Sequence, residues 1–348
     1  MKKLSVIILV IAMLVTFAGC SSSSKDNDAN AKDSGDKSAA ATPTEIRLGY
    51  WESPNEELLV KQTGALEEAF PDAEVTWIEF QSGPDILAAI QGGSIDFSTI
   101  GTPPGTIGIA NGLPYKIFYL HDVIAESEGL IVKADSGIES VADVKGKRIA
   151  TVFASTSHFS LSNALKLDGL TDADVQLYDM KAPDIFAAWE RGDIDGAYVW
   201  EPIKTKLLDA GGKQIISSGE VAESGAITGE FGIVSDAFSE KYPDAVKTYI
   251  DILDEATDAY KNDQENTAKL IAPGLGITEE EALISMNEII VLSKADQTDP
   301  TYLGTTAEPG NLAQLMKDTA DFLVEQKSIK SAPSVEEFQK GILTQLYD

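Results

Sequence analysis

The thirteen residues at 84–96, PDILAAIQGGSID, return at 183–195 as PDIFAAWERGDID. The offset is 99 residues throughout, and carried on to Pro103 and Pro202 it gives 9 identities in 20 aligned positions. Average residue usage would give about one. Each copy reads as a helix with proline in its first turn, glycine near its end, and a short buried strand running into a loop. Two such units fit two α/β lobes built on one plan. Open α/β sheets take ligands at the loops beyond the carboxyl ends of their strands, so the cleft between the lobes is the expected site. The alternative is a repeated packing unit with no shared function. The repeat also pairs Thr102 with Glu201 and Gly101 with Trp200, positions that facing lobes would present across one gap.

From Glu45 onward, apolar β-rich runs alternate with segments of helical period, which points to an α/β protein with largely parallel sheet. Strands are expected at 46–50, 75–80, 97–100, 116–120, 130–132, 148–152, 175–178 and 196–199. After about 231–234 the pattern turns mainly helical. Val246, Tyr249, Ile250, Leu253, Ala256 and Tyr260 are spaced as one apolar stripe, which reads as ordinary core packing.

Lys2 and Lys3 open the chain, a 14-residue and almost unbroken apolar stretch follows at 4–17, and Ala18-Gly19-Cys20 closes it. That is a secretory signal over 1–19 ending in a lipoprotein-type cleavage site. A spanning helix needs about 20 apolar residues, so a transmembrane anchor is the weaker reading. Cys20 is the only cysteine, which rules out a disulfide within one chain and any multi-cysteine metal or redox site. Its position marks it as a lipid carrier, and residues 20–44, poor in bulky apolar groups, as a disordered tether. Loss of Lys2 and Lys3 takes the formal charge from -29 to 25 basic against 56 acidic residues, or -31. Nucleic acid is excluded as a partner. Net charge would repel an anionic ligand, so local donors must hold one.

Ser155, Thr156 and Ser157 follow the strand expected at 148–152 and open a helical run. Orphan backbone N–H groups and the positive end of the helix dipole make such a start an anion site, although one hydroxyl suffices for plain capping. Ser82 stands at a second helix start. Trp51 and Trp200 each lie just after an expected strand, and an aromatic wall beside a carboxylate suits a small ammonium group. Glu201 and Glu230 are the carboxylate candidates; surface glutamates are the alternative. His121 and His158 are the only histidines, neither has metal-ligand spacing, and both read as structural. No metal, cofactor or enzyme motif is recognised.

With these residues in hand, the chain resembles the taurine-binding proteins of bacterial ABC importers, within the larger group that binds nitrate, sulfonates and bicarbonate. The likeness runs from about Ile46 to the carboxyl end. It is carried by GKRIA at 146–150, STSHFSL at 155–161 with Ala164-Leu165-Lys166, and most selectively by AAWERGDIDGAYVW at 187–200. The resemblance implies a type II periplasmic-binding-protein fold, with two lobes joined by two crossing strands near 120–127 and 222–230. It places 45–123 with 228–348 in lobe 1 and 124–227 in lobe 2. It also implies sulfonate donors at Ser82, Thr102 and Ser155 to Ser157, and an acidic residue for the amine at Glu230. The family often carries Asp there, so Glu230 reaches one methylene further. Glu201 is a further departure that would favour a longer or more cationic ligand. A monomer that delivers ligand to a membrane permease is implied. A binding protein for another aliphatic sulfonate or small zwitterion, a sensory lipoprotein, and an enzyme resembling pyrimidine-synthesising relatives are the alternatives.

Overall fold

In the computed structural model, which describes residues 42–348, each repeat copy folds as a helix followed by a buried strand. The export signal, Cys20 and most of the expected tether lie outside the described residues. The helix Gly83–Gln91 leads into β3 (Phe97–Gly101), and the helix Ala182–Arg191 leads into β8 (Gly196–Trp200). Gly93 and Gly192, equivalent in the repeat, turn the chain from helix to strand at φ 67° and 74°, a region closed to most side chains.

One sheet combines β3 with β1 (Glu45–Tyr50), β2 (Glu74–Glu79), β4 (Tyr115–Ile124), β10 (Gly229–Ser235) and β11 (Ile289–Val291), in the order β11-β4-β10-β3-β1-β2. The other combines β8 with β5 (Glu128–Lys133), β6 (Arg148–Thr151), β7 (Gln176–Asp179) and β9 (Gly212–Ser217), in the order β7-β6-β8-β5-β9. β1 is parallel to β2 and β3, and β6 is parallel to β7 and β8. β10 runs antiparallel between β3 and β4, and β5 does the same between β8 and β9. Apart from β11 the two sheets therefore share strand order and direction. Parallel pairing holds only within the three strands around each repeat strand. In each sheet, the strand arriving from the other sheet is inserted antiparallel. The chain crosses between sheets at 125–127 and again at 223–228. Edge strands β9 and β11 have weak or very short apolar patterns and were not expected from the sequence.

Helices cover both faces of each sheet. In the second sheet the neighbouring pairs Leu130 and Ile131, Ile149 and Ala150, and Tyr198 and Val199 point to opposite faces, and all are buried. Burial on both sides explains why these strands read as continuous apolar runs. The stripe Val246, Tyr249, Ile250, Leu253, Ala256 and Tyr260 is buried along the helix Pro243–Asn262. Pro43 is buried and the Thr44 carbonyl accepts the Glu74 N–H at 3.0 Å, so the folded chain begins before Glu45.

The shared plan includes a clasp at each repeat. Asp96 accepts from the Arg47 backbone N–H at 2.9 Å, from its Nε at 3.0 Å and from its Nη2 at 2.7 Å. Asp195 accepts the same three bonds from Arg148 at 2.9, 3.2 and 2.6 Å. A carboxylate before the repeat strand is thus forked by the arginine of the adjacent parallel strand, which fixes register. The Arg148 guanidinium holds the Asp195 carboxyl below its usual range.

Candidate functional site

The helix Thr156–Leu167 starts at a true cap. Ser155 Oγ accepts the His158 N–H at 3.2 Å and donates to the Val152 carbonyl at 2.6 Å. Thr156 donates its hydroxyl to Glu128. The Ser157 hydroxyl, fully buried, lies near the same carboxyl without meeting hydrogen-bond geometry. In the first lobe, Thr102 begins the helix Thr102–Ala110, is buried, and has no partner for its Oγ1 among the described residues. The Trp51 indole N–H is likewise buried and unpartnered, close to Glu230 but out of hydrogen-bond geometry. A buried donor left unmade costs about 1–3 kcal/mol, so three of them in one region is an arrangement waiting for acceptors.

Carboxylates gather beside these donors. Glu128 is buried and pairs in register with Trp200, while Glu230 pairs with Gly101. Because Gly101 and Trp200 are equivalent in the repeat, the two glutamates hold equivalent places in the two sheets. Burial pushes the Glu128 carboxyl up to about 7, against the hydroxyls of Thr156, Ser157 and Ser218. Desolvation also raises Glu230, opposed by the Trp51 indole and His121 and reinforced by Glu57 and Glu128. Its one hydrogen-bond partner among the described residues is Asn55, with Nδ2 donating at 3.3 Å. Behind Glu230, His121 Nδ1 lies 2.8 Å from Glu56 Oε1, and Thr99 and Tyr249 donate to Glu57 at 2.5 and 2.9 Å. Burial opposes a charged His121, but the Glu56 carboxylate, helped by Glu57 and Glu230, outweighs it and raises the pKa.

The lobes meet closely here. A Cβ placed on Gly101 would fall 3.2 Å from the Thr156 methyl, so the end of β3 lies close against the second lobe's helix start and any side chain there would have to push that methyl aside. Further along the same helix, Phe159 packs edge-on against Phe322 of the first lobe with ring centroids 5.1 Å apart. Gln326 donates to Asp172 at 2.6 Å across the lobes.

Of the residues expected from the sequence, Trp51, Thr102, Thr156, Ser157, Trp200 and Glu230 converge through these contacts and pairings. Ser82 caps its own helix: its Oγ accepts the Asp85 N–H at 3.4 Å and donates to Asp85 Oδ2 at 2.6 Å. Ser155 is similarly occupied. Glu201 is engaged elsewhere, with Oε1 3.1 Å from Lys204 Nζ and Oε2 accepting the Thr205 N–H. Lys204 is buried and reaches Glu288 of the first lobe at 2.7 Å and the Glu126 carbonyl at 2.5 Å. His158 accepts the Ala154 N–H and stacks on Phe153 at 4.5 Å. Glu128 and Asp122 were missed. The one available signal was a His121-Asp122 pair inside the otherwise apolar strand run KIFYLHDVI at 116–124. Two surface grooves, of about 440 and 320 Å³, are lined by none of the candidate site residues named from the sequence. No His, Cys, Asp or Glu group able to hold a metal occurs among the described residues. Nor is any helix there long and apolar enough to cross a membrane.

Two sheets of one strand order, each receiving an antiparallel strand from the other and meeting at a polar cleft, define a periplasmic-binding-protein fold. The chain belongs to the NMT1-like family, which it matches over residues 39–273. It is 34% identical over 264 residues to the taurine-binding periplasmic protein of Escherichia coli (strain K12), covering 74% of this chain and 79% of that protein. The alkanesulfonate-binding protein SsuA from Xanthomonas axonopodis pv. citri, solved bound to MOPS, superposes with TM-score 0.72 at 25% identity over 86% of this chain and 99% of that one. The periplasmic aliphatic sulphonate binding protein SsuA from Escherichia coli shares the fold, with TM-score 0.70 at 24% identity over 85% and 92% of the two chains. The resemblance to taurine- and sulfonate-binding proteins is thereby borne out, as is the fold it implied.

Proposed function

We propose that this chain is the extracytoplasmic substrate-binding lipoprotein of an ABC importer, capturing a small organosulfonate, with taurine the first candidate, for delivery to a membrane permease. One observation carries the reading: buried, unpartnered donors at Thr102, Ser157 and Trp51 stand beside the carboxylates Glu230 and Glu128 where the two lobes meet. Three sulfonate oxygens want converging donors, and the starts of two helices supply them with favourable dipoles. An ammonium group beside Glu230 would relieve its desolvation, with Trp51 and Trp200 as aromatic walls. The names of the related proteins, for taurine and for aliphatic sulphonates, support the ligand class. Closure of residues 124–227 onto 45–123 and 228–348 would present the loaded form to the permease. Attachment rests on the sequence of 1–20, with a lipid on Cys20 holding a monomer outside the cell.

Calorimetry on the purified protein with taurine, ethanesulfonate, short carboxylates and nitrate tests this. Taurine should bind and raise the melting temperature by mass action. Glu230→Gln should weaken taurine at least tenfold and leave ethanesulfonate within about twofold, since only taurine offers an ammonium, and a charge-assisted bond is worth about 1.5–3 kcal/mol. No thermal shift at millimolar taurine sinks the ligand; equal losses for both sulfonates remove Glu230 as the amine's partner.

A further inference from the structure

Across the first sheet, Gly101, Glu230, Asp122 and Val291 form one row of register partners on β3, β10, β4 and β11. Residues paired across neighbouring strands project from the same face, with Cβ atoms about 5 Å apart. Gly101 shows which face this is, because its missing Cβ points at Thr156 of the second lobe. The β10–β4 register shifts just beyond the Glu230–Asp122 pair, at Glu230/Phe231, and Asp122 has Glu230 and, from the second lobe, Glu128 as neighbours, which places it beside Glu230 at the junction of the lobes. It is 1% exposed, and neither of its carboxylate oxygens has a partner among the described residues. The charges around it are Glu230, Glu56 and Glu128, all acidic, and burial together with them raises its pKa. The cations near by are committed, His121 to Glu56 and Lys204 to Glu201 and Glu288. A buried carboxylate with no donor is among the costliest arrangements a fold can hold. The described side chains offer Asp122 no hydrogen bond.

We propose that Asp122 is a specificity-determining residue, and that with Glu230 it reads a ligand cation whose donors are spread over several nitrogens: a small sulfonate bearing a guanidinium group. This rests on the sulfonate reading above and names its substrate class. Asp122 offers two unpartnered oxygens, and Glu230 holds only the long bond from Asn55. An ammonium is a compact point charge with three donors. A guanidinium presents five donors in a planar fork, which can grip Asp122 with two parallel bonds while a further N–H meets Glu230. Thr102 and Ser157 remain for the sulfonate end.

The test compares taurine with guanidinoethanesulfonate by titration calorimetry on wild type, Asp122→Asn and Asp122→Ser. Wild type should bind the guanidino compound at least tenfold more tightly. Both variants should lose that preference and keep taurine affinity within about threefold. They should also melt at least as high as wild type without ligand, since no hydrogen bond to a described residue is lost, whereas a merely structural residue would lower the melting point. Taurine binding as tightly as the guanidino compound in wild type, or variants that weaken both alike, overturns the assignment and leaves the sulfonate reading standing. Binding of neither sulfonate overturns both.

Discussion

Among the described residues, Lys204 is the one buried lysine or arginine, it ties the second lobe to the first, and replacing it with methionine should be costly. Its side chain is 3% exposed, and those of its partners Glu201 and Glu288 are 9% and 18% exposed. Lys204→Met keeps the apolar stem and leaves two enclosed carboxylates facing one another without a counter-charge. Removing one member of such a pair costs about 3–5 kcal/mol, far more than the 0–1 kcal/mol of a surface pair. Unfolding entropy of about 2.1 cal/mol/K per residue converts 3 kcal/mol, for a folded chain of this length, into a melting point about 5 °C lower. The deficit should be largest near pH 8 and shrink toward pH 5. Burial already raises the Glu288 carboxyl against the pull of Lys204, so without the lysine it takes up a proton more readily. Scanning calorimetry at both pH values checks this, and adding Glu288→Gln should recover part of the loss. A deficit below about 1 kcal/mol at pH 8 would mean the cluster behaves as a solvated surface pair. A further loss on adding Glu288→Gln would equally refute the argument.

Glu128 predicts a pH dependence of opposite sign to the usual acidic one. Its carboxyl sits at about 7 in the fold against an ordinary value of 4.5, so the folded protein keeps a proton that the unfolded chain gives up between those values. Its contribution to stability therefore falls as pH rises through that window, by about 3 kcal/mol in all at 1.36 kcal/mol per unit. Denaturant titration should find Glu128→Gln more stable than wild type at pH 7.5, by roughly half as much at pH 5.5 and nearly equal at about pH 4; a constant difference would reject the shift. At the donor end, Thr102→Val and Ser157→Ala should each weaken taurine about tenfold or more through loss of a bond to a charged group. Ser155→Ala should instead cost about 1 kcal/mol of stability as a lost cap, and calorimetric affinities showing the reverse pattern would reassign these hydroxyls.

The repeat made the two-lobed α/β plan legible, because proline, glycine and a buried strand recur at one offset. It also pointed to Thr102, since a strand end in a repeated unit is where such sheets bind. The clasps were not legible: Asp96 and Asp195 lie 99 residues apart, but Arg47 and Arg148 are 101 apart, so their pairing appears only when the strands are laid side by side. Glu128, and the role of Asp122 beyond its odd place next to His121 in an apolar run, were hidden for a related reason. Their meaning comes from cross-strand neighbours on β8 and β10, and no local pattern carries that. Glu201 read as a ligand residue through its alignment with Thr102. Lys204, three positions on in the first turn of the helix Ile203–Asp209, was the signal that its charge is spent within the protein.

Like halves, left alike, would greet a guest with the same chemistry at either end and could not tell its head from its tail. Here Gly101 and Thr102, a bare backbone and a hydroxyl with no partner among the described residues, stand where the other lobe carries Trp200 and Glu201, an indole and a carboxylate spent on Lys204. On the proposed reading, a guest's orientation would be written in the places where the duplicated design stopped agreeing with itself.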